Sequence, residues 1–264
     1  MKNIFVCVKQ VPDTTEVKWD TEKGTLKREG VASILNPFDL YALEEALRIK
    51  DKDPEVRVIA LTMGPKQSQE ILKECVSLGA DEGILLSDAL FAGSDTLATS
   101  YALSRAILHR GDPWIVFAGK QAIDGDTAQV GPGIATWLGL PQATYVRKVE
   151  SLEEGKAVVE RLTEEGYERV EISLPALFTV VKEINTPRLP SLRGKMKAKS
   201  FQPLLWCAQE VGAEEERVGL RGSPTQVKRV FSPPQKEGEG ERVEGKPEVL
   251  AHRLSTLLKE WNVL

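Results

Sequence analysis

The chain has 264 residues, a length that suits one large α/β body with a smaller appendage. Its composition, 41% apolar and 28% charged, is ordinary for a globular protein, and a net charge of −4 gives no reason to expect nucleic acid as the main partner. The sequence contains no run of about 18 apolar residues, so it does not predict a membrane-spanning helix.

Cysteine and histidine usage narrows the compartment and the chemistry. Cys7, Cys75 and Cys207 form no C-x-x-C pair, and an apolar run at residues 4–8 follows Met1 too closely to leave room for a targeting peptide. We therefore expect a reduced, cytoplasmic compartment. With only His109 and His252 in the chain, we expect neither a metal site nor a histidine-based catalytic triad.

Strand and helix signals alternate over the first two-thirds of the chain, which predicts a three-layer α/β fold: an open, mostly parallel twisted sheet flanked by helices. The predicted strands are apolar almost throughout, as expected for strands covered on both faces. They lie at residues 4–8, 56–63, 83–86 and 114–118.

Four helices are predicted between and after these strands. The first has Asn36 as N-cap and Pro37 at its first position, and the second runs from Pro65 to a stop at Gly79. The third spans residues 94–109. The fourth follows Asp126, which with Gln129 fits a capping pair, and ends near Gly139.

The remaining segments read differently. Residues 17–29 predict a hairpin, and residues 143–182 predict antiparallel additions at the sheet edge. After Lys182 the prolines at 187, 190 and 203 argue against a central strand or a regular helix. A Gly/Glu/Pro-rich linker at 233–247 precedes a final amphipathic helix. We predict a nucleotide-binding domain at 1–185, and at 186–264 an arm that docks on another chain.

The loop from Gly119 to Gly131 is the leading candidate for a ligand site. It leaves a buried strand and enters a helix, which is where open parallel sheets bind ligands, and free amides at the helix start attract anions. A well-capped connecting loop with no ligand is equally compatible with the spacing. Asp124 and Asp126 would repel a phosphate unless backbone donors satisfied their charges. The loops after the other strands could complete a crevice for an adenine nucleotide.

Several motifs resemble the beta subunit of electron transfer flavoprotein, from the first strand to about Phe201. They are Val8-Lys9-Gln10-Val11-Pro12-Asp13, Asn36-Pro37-Phe38, the run Lys120-Gln121-Ala122-Ile123-Asp124-Gly125-Asp126 with its flanks, and Asn185-Thr186-Pro187-Arg188 followed by Leu192 and Lys195-Met196-Lys197-Ala198-Lys199. The first-strand region has no aromatic residue where some animal members carry a tyrosine near the flavin.

The resemblance implies a heterodimer in which the alpha subunit holds the redox-active FAD and the beta subunit holds a structural AMP. Carried over by motif, the AMP contacts are Cys7, Asn36, Pro37, Phe38, Asp39, Met63, Gly119, Lys120, Gln121, Ala122, Ile123, Asp124, Gly125, Asp126, Thr127, Ala128, Gln129 and Val130. Electron-bifurcating relatives hold a second FAD in place of AMP; the phenylalanine at 38 favours AMP.

The resemblance also implies a recognition loop, here residues 180–202, whose leucine enters a pocket on acyl-CoA dehydrogenases. The residues expected to meet partners are Arg188, Leu189, Leu192, Arg193 and Met196. Electrons would pass from acyl-CoA and related dehydrogenases through the alpha-subunit FAD to a quinone-reducing oxidoreductase. The chain itself would be an electron carrier subunit in fatty acid oxidation that breaks no bond.

Two other functions are weaker. An ATP-pyrophosphatase relative would carry a Ser/Gly-rich phosphate loop after the first strand, where this chain has Lys9-Gln10-Val11-Pro12-Asp13. A stand-alone adenine-nucleotide sensor would leave the basic, proline-rich loop and the last helix without a role.

Overall fold

The structure is a computed structural model that describes residues 1–13, 18–20, 25–27, 33–226 and 242–263. The chain divides into two compact units, Met1–Arg229 and Val230–Leu264. The predicted division after residue 185 falls inside the first unit, because residues 204–206 add a strand to its sheet. That the C-terminal arm docks on another chain stays a prediction.

The first unit is built on one large sheet, and this confirms the predicted fold class. In the described part of the chain its nine strands are β1 (Lys2–Cys7), β6 (Val56–Met63), β7 (Glu82–Leu86), β8 (Ile115–Gly119), β9 (Gln142–Glu153), β10 (Lys156–Thr163), β11 (Gly166–Ser173), β12 (Ala176–Val180) and β13 (Leu204–Trp206). They join in the order β11-β10-β9-β12-β8-β1-β6-β7-β13. β10 pairs antiparallel with β9 and β11, and every other neighbouring pair in this order is parallel.

Helices cover both faces of the sheet, because its central strands are apolar on both sides. The helices are α1 (Pro37–Lys52), α2 (Gln69–Leu78), α3 (Thr96–Arg110) and α4 (Val130–Leu138). On one face Ile4 and Val6 of β1 share a core with α1 and α2; on the other, Phe5 and Cys7 share a core with α3 and α4. Gly79 and Gly139 end α2 and α4 as predicted, and Gly111 ends α3.

The predicted antiparallel edge is confirmed for β10 and β11, but β12 differs. It lies inside the sheet, parallel to both β8 and β9. All five of its residues are buried, which fits a strand covered on both faces rather than an edge.

Two further predictions were wrong at the level of local structure. A regular helix, α5 (Leu192–Ser200), lies between the prolines at 190 and 203, with Ser191 capping it by accepting a hydrogen bond from the Gly194 amide at 3.0 Å. The prolines flank this helix and do not interrupt it. The fourth helix begins at Val130 rather than directly after Asp126.

Smaller elements complete the described chain. β2 (Gln10–Pro12) pairs with β5 (Ser33–Leu35), and the predicted hairpin is confirmed in β3 (Lys18–Asp20) and β4 (Thr25–Lys27). Its turn at Gly24 lies outside the described residues, as does most of the predicted linker. In the second unit, α6 (Pro247–Glu260) has no buried residue. Across the described ranges, no helix combines enough length with enough apolar character to span a bilayer.

Candidate functional site

A cleft of about 730 Å³ opens at the carboxyl ends of the parallel strands. After β1 the chain builds β6 and β7 on one side, and then crosses back to place β8 on the other side of β1. The loops that follow β1 and β8 therefore diverge at this position, which is the usual binding crevice of an open α/β sheet. Cys7, Val8 and Lys9 line the cleft after β1, and Met63 lines it after β6.

Asn36 ties α1 to the β8–α4 loop. It occupies the predicted N-cap position, but its side chain makes no cap hydrogen bond. The side-chain amide instead donates to the Gln121 carbonyl at 2.9 Å, and its oxygen accepts from the Ile123 amide at 3.2 Å. One buried side chain thus satisfies a backbone acceptor and a backbone donor of the same loop.

Asp39, one turn further along α1, joins the two loops of the crevice. Its carboxylate accepts hydrogen bonds from the Lys9 amide at 2.8 Å and the Gly119 amide at 3.2 Å. Burial raises the pKa of Asp39 to about 7, against the opposing effect of these donors and of Asn36. A Cβ on Gly119 would lie 2.4 Å from Asp39 Oδ1, so this contact requires glycine.

The two acidic residues of the loop bond to side chains and not to backbone donors: Asp124 forms an ion pair and Asp126 accepts from a neutral amide. Lys9 Nζ lies 2.7 Å from Asp124 Oδ1, and Gln121 Nε2 donates to Asp126 Oδ1 at 2.6 Å. The repulsion anticipated between these carboxylates and a bound phosphate is therefore reduced. Since Lys9 is half-exposed, its ion pair contributes more to loop shape than to stability.

The start of α4 is open towards the cleft. Asp126 does not form the predicted capping pair, because it lies four residues before the helix with a φ of 50°. Ala128 also has a positive φ, 54°, a strained conformation for alanine of the kind that concentrates at functional sites. Gln129 occupies the N-cap position without a side-chain cap, so the first amides of α4 are free to bind an anion.

The opposite wall of the cleft, missed in the sequence, is the start of α3. Asp95 caps this helix by accepting from the Leu97 and Ala98 amides, and its other oxygen accepts from the amide and hydroxyl of Thr225. Burial acts to raise the pKa of Asp95, but these donors prevail and lower it. The wall-lining residues are Ser94, Asp95, Thr96, Thr99, Leu103 and Thr225.

Most of the residues predicted to contact AMP lie at this cleft, although the nucleotide itself stays a prediction. Those that line it are Cys7, Asn36, Asp39, Met63, Gly119, Lys120, Gln121, Ala122, Gly125, Thr127, Ala128, Gln129 and Val130. Those outside the lining are Pro37, Phe38, Ile123, Asp124 and Asp126. The last three shape the loop through the hydrogen bonds and ion pair described above.

The start of α3 could have been predicted from the sequence by the rule that predicted the loop from Gly119 to Gly131. Residues 94–99 follow β7 at the carboxyl edge of the sheet, where ligand-binding loops gather. Thr225 carried no such signal, because it lies 130 residues beyond Asp95 in the sequence.

Two buried thiols are unreactive. Burial raises the pKa of Cys7 to about 12 and that of Cys75 still further, so both stay protonated at neutral pH. Within the described part of the chain, no group of three or more His, Cys, Asp or Glu side chains is placed to hold a metal ion.

The recognition loop presents three apolar side chains to solvent. Leu189 is 89% exposed, Leu192 78% and Met196 65%. Arg193 is also exposed. Arg188, predicted to meet a partner with them, instead turns towards α1 and bonds Glu44 through two guanidinium nitrogens.

Known proteins resemble the chain over nearly its whole length. Residues 23–203 match the family described as electron transfer flavoprotein domain. The caffeyl-CoA reductase-Etf complex subunit CarD of Acetobacterium woodii is 50% identical over 99% of both chains. The electron transfer flavoprotein subunit beta of Megasphaera elsdenii is 50% identical over 89% of both. The protein FixA of Azorhizobium caulinodans is 45% identical over 88% of this chain and 84% of its own.

Proposed function

Because the chain belongs to the electron transfer flavoprotein family, we propose that it is the beta subunit of a heterodimeric electron carrier and holds an adenine nucleotide in its cleft. The single observation that carries the nucleotide assignment is the open start of α4 at the switch point. Val130 and Gly131 line the cleft with uncapped amides, Asp124 is paired with Lys9, and Asp126 is hydrogen-bonded to Gln121, which is an arrangement suited to a phosphate.

The residues divide by role. Lys9, Asn36 and Asp39 hold the shape of the loop, and the backbone from Gly125 to Val130 meets the phosphate. Gly119 lets α1 approach the end of β8. No nucleophile or free catalytic base is required of these residues, which suits a subunit that breaks no bond itself.

AMP is the first candidate for the ligand, as the resemblance implies. A second FAD is the other candidate, and one observation favours it: the cleft continues past Met63 to the start of α3 and Thr225. Its volume of about 730 Å³ lies in the upper part of the usual range for small-molecule sites. When bound, FAD would supply reversible electron transfer; this chain's residues would bind and orient it.

We propose that the partner of the chain is an electron transfer flavoprotein alpha subunit that carries the principal FAD. The exposed Leu189, Leu192 and Met196, set among basic residues, suit contact with acidic, apolar pockets on electron donors. Acyl-CoA dehydrogenases are the donors implied by the resemblance, and one relative is by name part of a caffeyl-CoA reductase complex. A quinone-reducing oxidoreductase is the proposed acceptor.

Acid extraction of the co-expressed heterodimer tests both parts of the proposal. We expect one FAD and one AMP per dimer, measured by absorbance and chromatography. Two FAD and no AMP would establish the second candidate. A dimer without flavin would contradict the carrier role. A dimer that holds one FAD and no second nucleotide would contradict the assignment of the cleft.

A further inference from the structure

The recognition loop is attached to α1 by a set of charged and polar side chains. Asn185 Nδ2 donates to the Tyr41 carbonyl and to Glu45 Oε2, both at 3.0 Å. Three residues later the Arg188 amide and Nε donate to Glu44 Oε2 at 3.1 and 2.8 Å. A second guanidinium nitrogen reaches Glu44 Oε1 at 3.2 Å and Asp51 Oδ2 at 2.7 Å.

Burial makes this attachment specific. Only 6% of the Glu44 side chain is exposed, so its charge needs permanent partners. The donors to it are Arg188 and, from the next turn of α1, Arg48 Nε at 3.1 Å. A bidentate guanidinium–carboxylate pair with an added backbone donor fixes both the position and the orientation of residue 188.

The far end of the loop is held as firmly, against α2. A Cβ on Gly194 would lie 2.0 Å from the Ser77 carbonyl oxygen, so α5 meets the end of α2 at backbone distance. Lys197 Nζ also donates to the Ala80 carbonyl at 3.1 Å. The exposed Leu189 and Leu192 therefore lie between two fixed points.

We propose that Arg188 and Glu44 are a positioning pair. They present the exposed side chains of Leu189, Leu192 and Met196 to the electron donor, a role that rests on the proposed docking function of this loop. Arg188 acts through Glu44 and does not touch the donor. Holding exposed anchors in their bound arrangement removes an ordering cost that the complex would otherwise carry.

Glu44→Gln distinguishes this role from direct contact, because Glu44 is buried and cannot reach a partner. The assay is steady-state reduction of the co-expressed heterodimer by a purified acyl-CoA dehydrogenase that reduces the wild type. We expect Arg188→Ala and Glu44→Gln each to raise the KM of the dehydrogenase for the heterodimer about tenfold with kcat unchanged. The double variant should be no worse than either single one.

Arg48→Ala is the matched control, since it removes a different donor from the same carboxylate and has no link to the loop. Its KM should stay within about twofold of the wild type. Arg188→Lys keeps one charged donor and should give an intermediate KM. If Arg188→Ala raises KM while Glu44→Gln does not, Arg188 contacts the donor directly and the proposal is wrong; it is also wrong if neither change moves KM.

Amide hydrogen exchange separates this proposal from the function on which it rests and is read even if a variant transfers no electrons. Exchange in residues 186–200 should speed up in Arg188→Ala and Glu44→Gln, while β1 and β8 stay protected. Unchanged exchange would overturn the positioning role. A wild-type KM in Leu192→Ala would instead remove the docking role of the loop and leave the attachment intact. If Glu44→Gln does not fold, the Arg188→Lys result decides by the same two readouts.

Discussion

The two walls of the cleft use a helix N-terminus in opposite ways. The loop wall, made by residues 7–9, 36–39 and 119–131, ends in α4, whose first amides have no side-chain cap. The α3 wall, made by residues 94–99, 103 and 225, begins with amides already bonded to Asp95. An anion can therefore bind at the start of α4, whereas at the start of α3 it would meet a carboxylate.

The difference shows that position at the sheet edge brings both helix starts to one cleft, but the side-chain cap decides which of them keeps amides free. Both helices follow parallel strands, and both line the same cleft. In the loop wall the two N-cap side chains bond to other groups and not to the helix amides. Asn36 donates to the Gln121 carbonyl, and Gln129 accepts from the Thr96 hydroxyl at 2.8 Å. In the α3 wall the cap also anchors Thr225.

The largest expected effect is that of Gly119→Ala, which adds a side-chain atom where α1 approaches the end of β8 in the loop wall. The added Cβ would lie 2.4 Å from Asp39 Oδ1 and 2.7 Å from the Phe38 carbonyl carbon. We expect a loss of about 3 kcal/mol or more in the free energy of unfolding, together with loss of bound nucleotide. Urea denaturation and nucleotide extraction measure both. Gly125→Ala, whose Cβ would meet no protein atom within 4 Å, is the control for stability and should leave the free energy of unfolding near wild type.

A pH series on Asp39→Asn tests the carboxylate that joins the loop wall. Because the folded-state pKa of Asp39 is raised to about 7, the folded protein binds a proton between about pH 4 and 7 that the unfolded chain releases. The unfolding free energy of the wild type should therefore fall as the pH rises through this window, by at most about 1.4 kcal/mol per pH unit. The Asn variant lacks this slope. The unfolding free energy of the wild type minus that of Asp39→Asn should therefore fall as the pH rises. If this difference stays constant or rises with pH, the raised pKa of Asp39 is contradicted.

Gln129→Asp makes the loop wall resemble the α3 wall. An aspartate at the N-cap position would accept from the Gly131 amide, since Pro132 has none, and would repel the phosphate. We expect nucleotide affinity of the depleted heterodimer to fall roughly tenfold, measured by calorimetry. Gln129→Asn, which can cap without charge, should cost less affinity; equal losses in both variants would point to the lost contact with Thr96 instead.

The converse change, Asp95→Ala, should have the smallest effect on the ligand. Loss of an N-cap costs about 1 kcal/mol of stability, and the bonds to Thr225 are lost as well. Nucleotide affinity should stay within a few-fold of wild type, because the start of α4 is untouched. A tenfold loss of affinity without loss of stability would show that the α3 wall contributes to binding directly.

Local sequence patterns located most of the fold. The apolar run at residues 56–63 is β6 residue for residue, and Pro37 begins α1 as predicted. β12 was the exception, since an apolar run predicts a strand but not its neighbours. α5 was missed because three prolines in the segment outweighed the proline-free stretch at residues 191–202, in which this nine-residue helix lies.

The sequence by itself determined the alternation of strands and helices as far as α4, and the edge of the sheet where the loops gather. These follow from hydrophobic period, glycine and proline positions, and the geometry of parallel strands. Only the tertiary structure decided what each polar side chain does. Asn36 meets residues 121 and 123, Asp95 meets residue 225 and Arg188 meets residue 44, each far away along the chain. Such pairs are set by how helices pack on the sheet, and no local pattern encodes them.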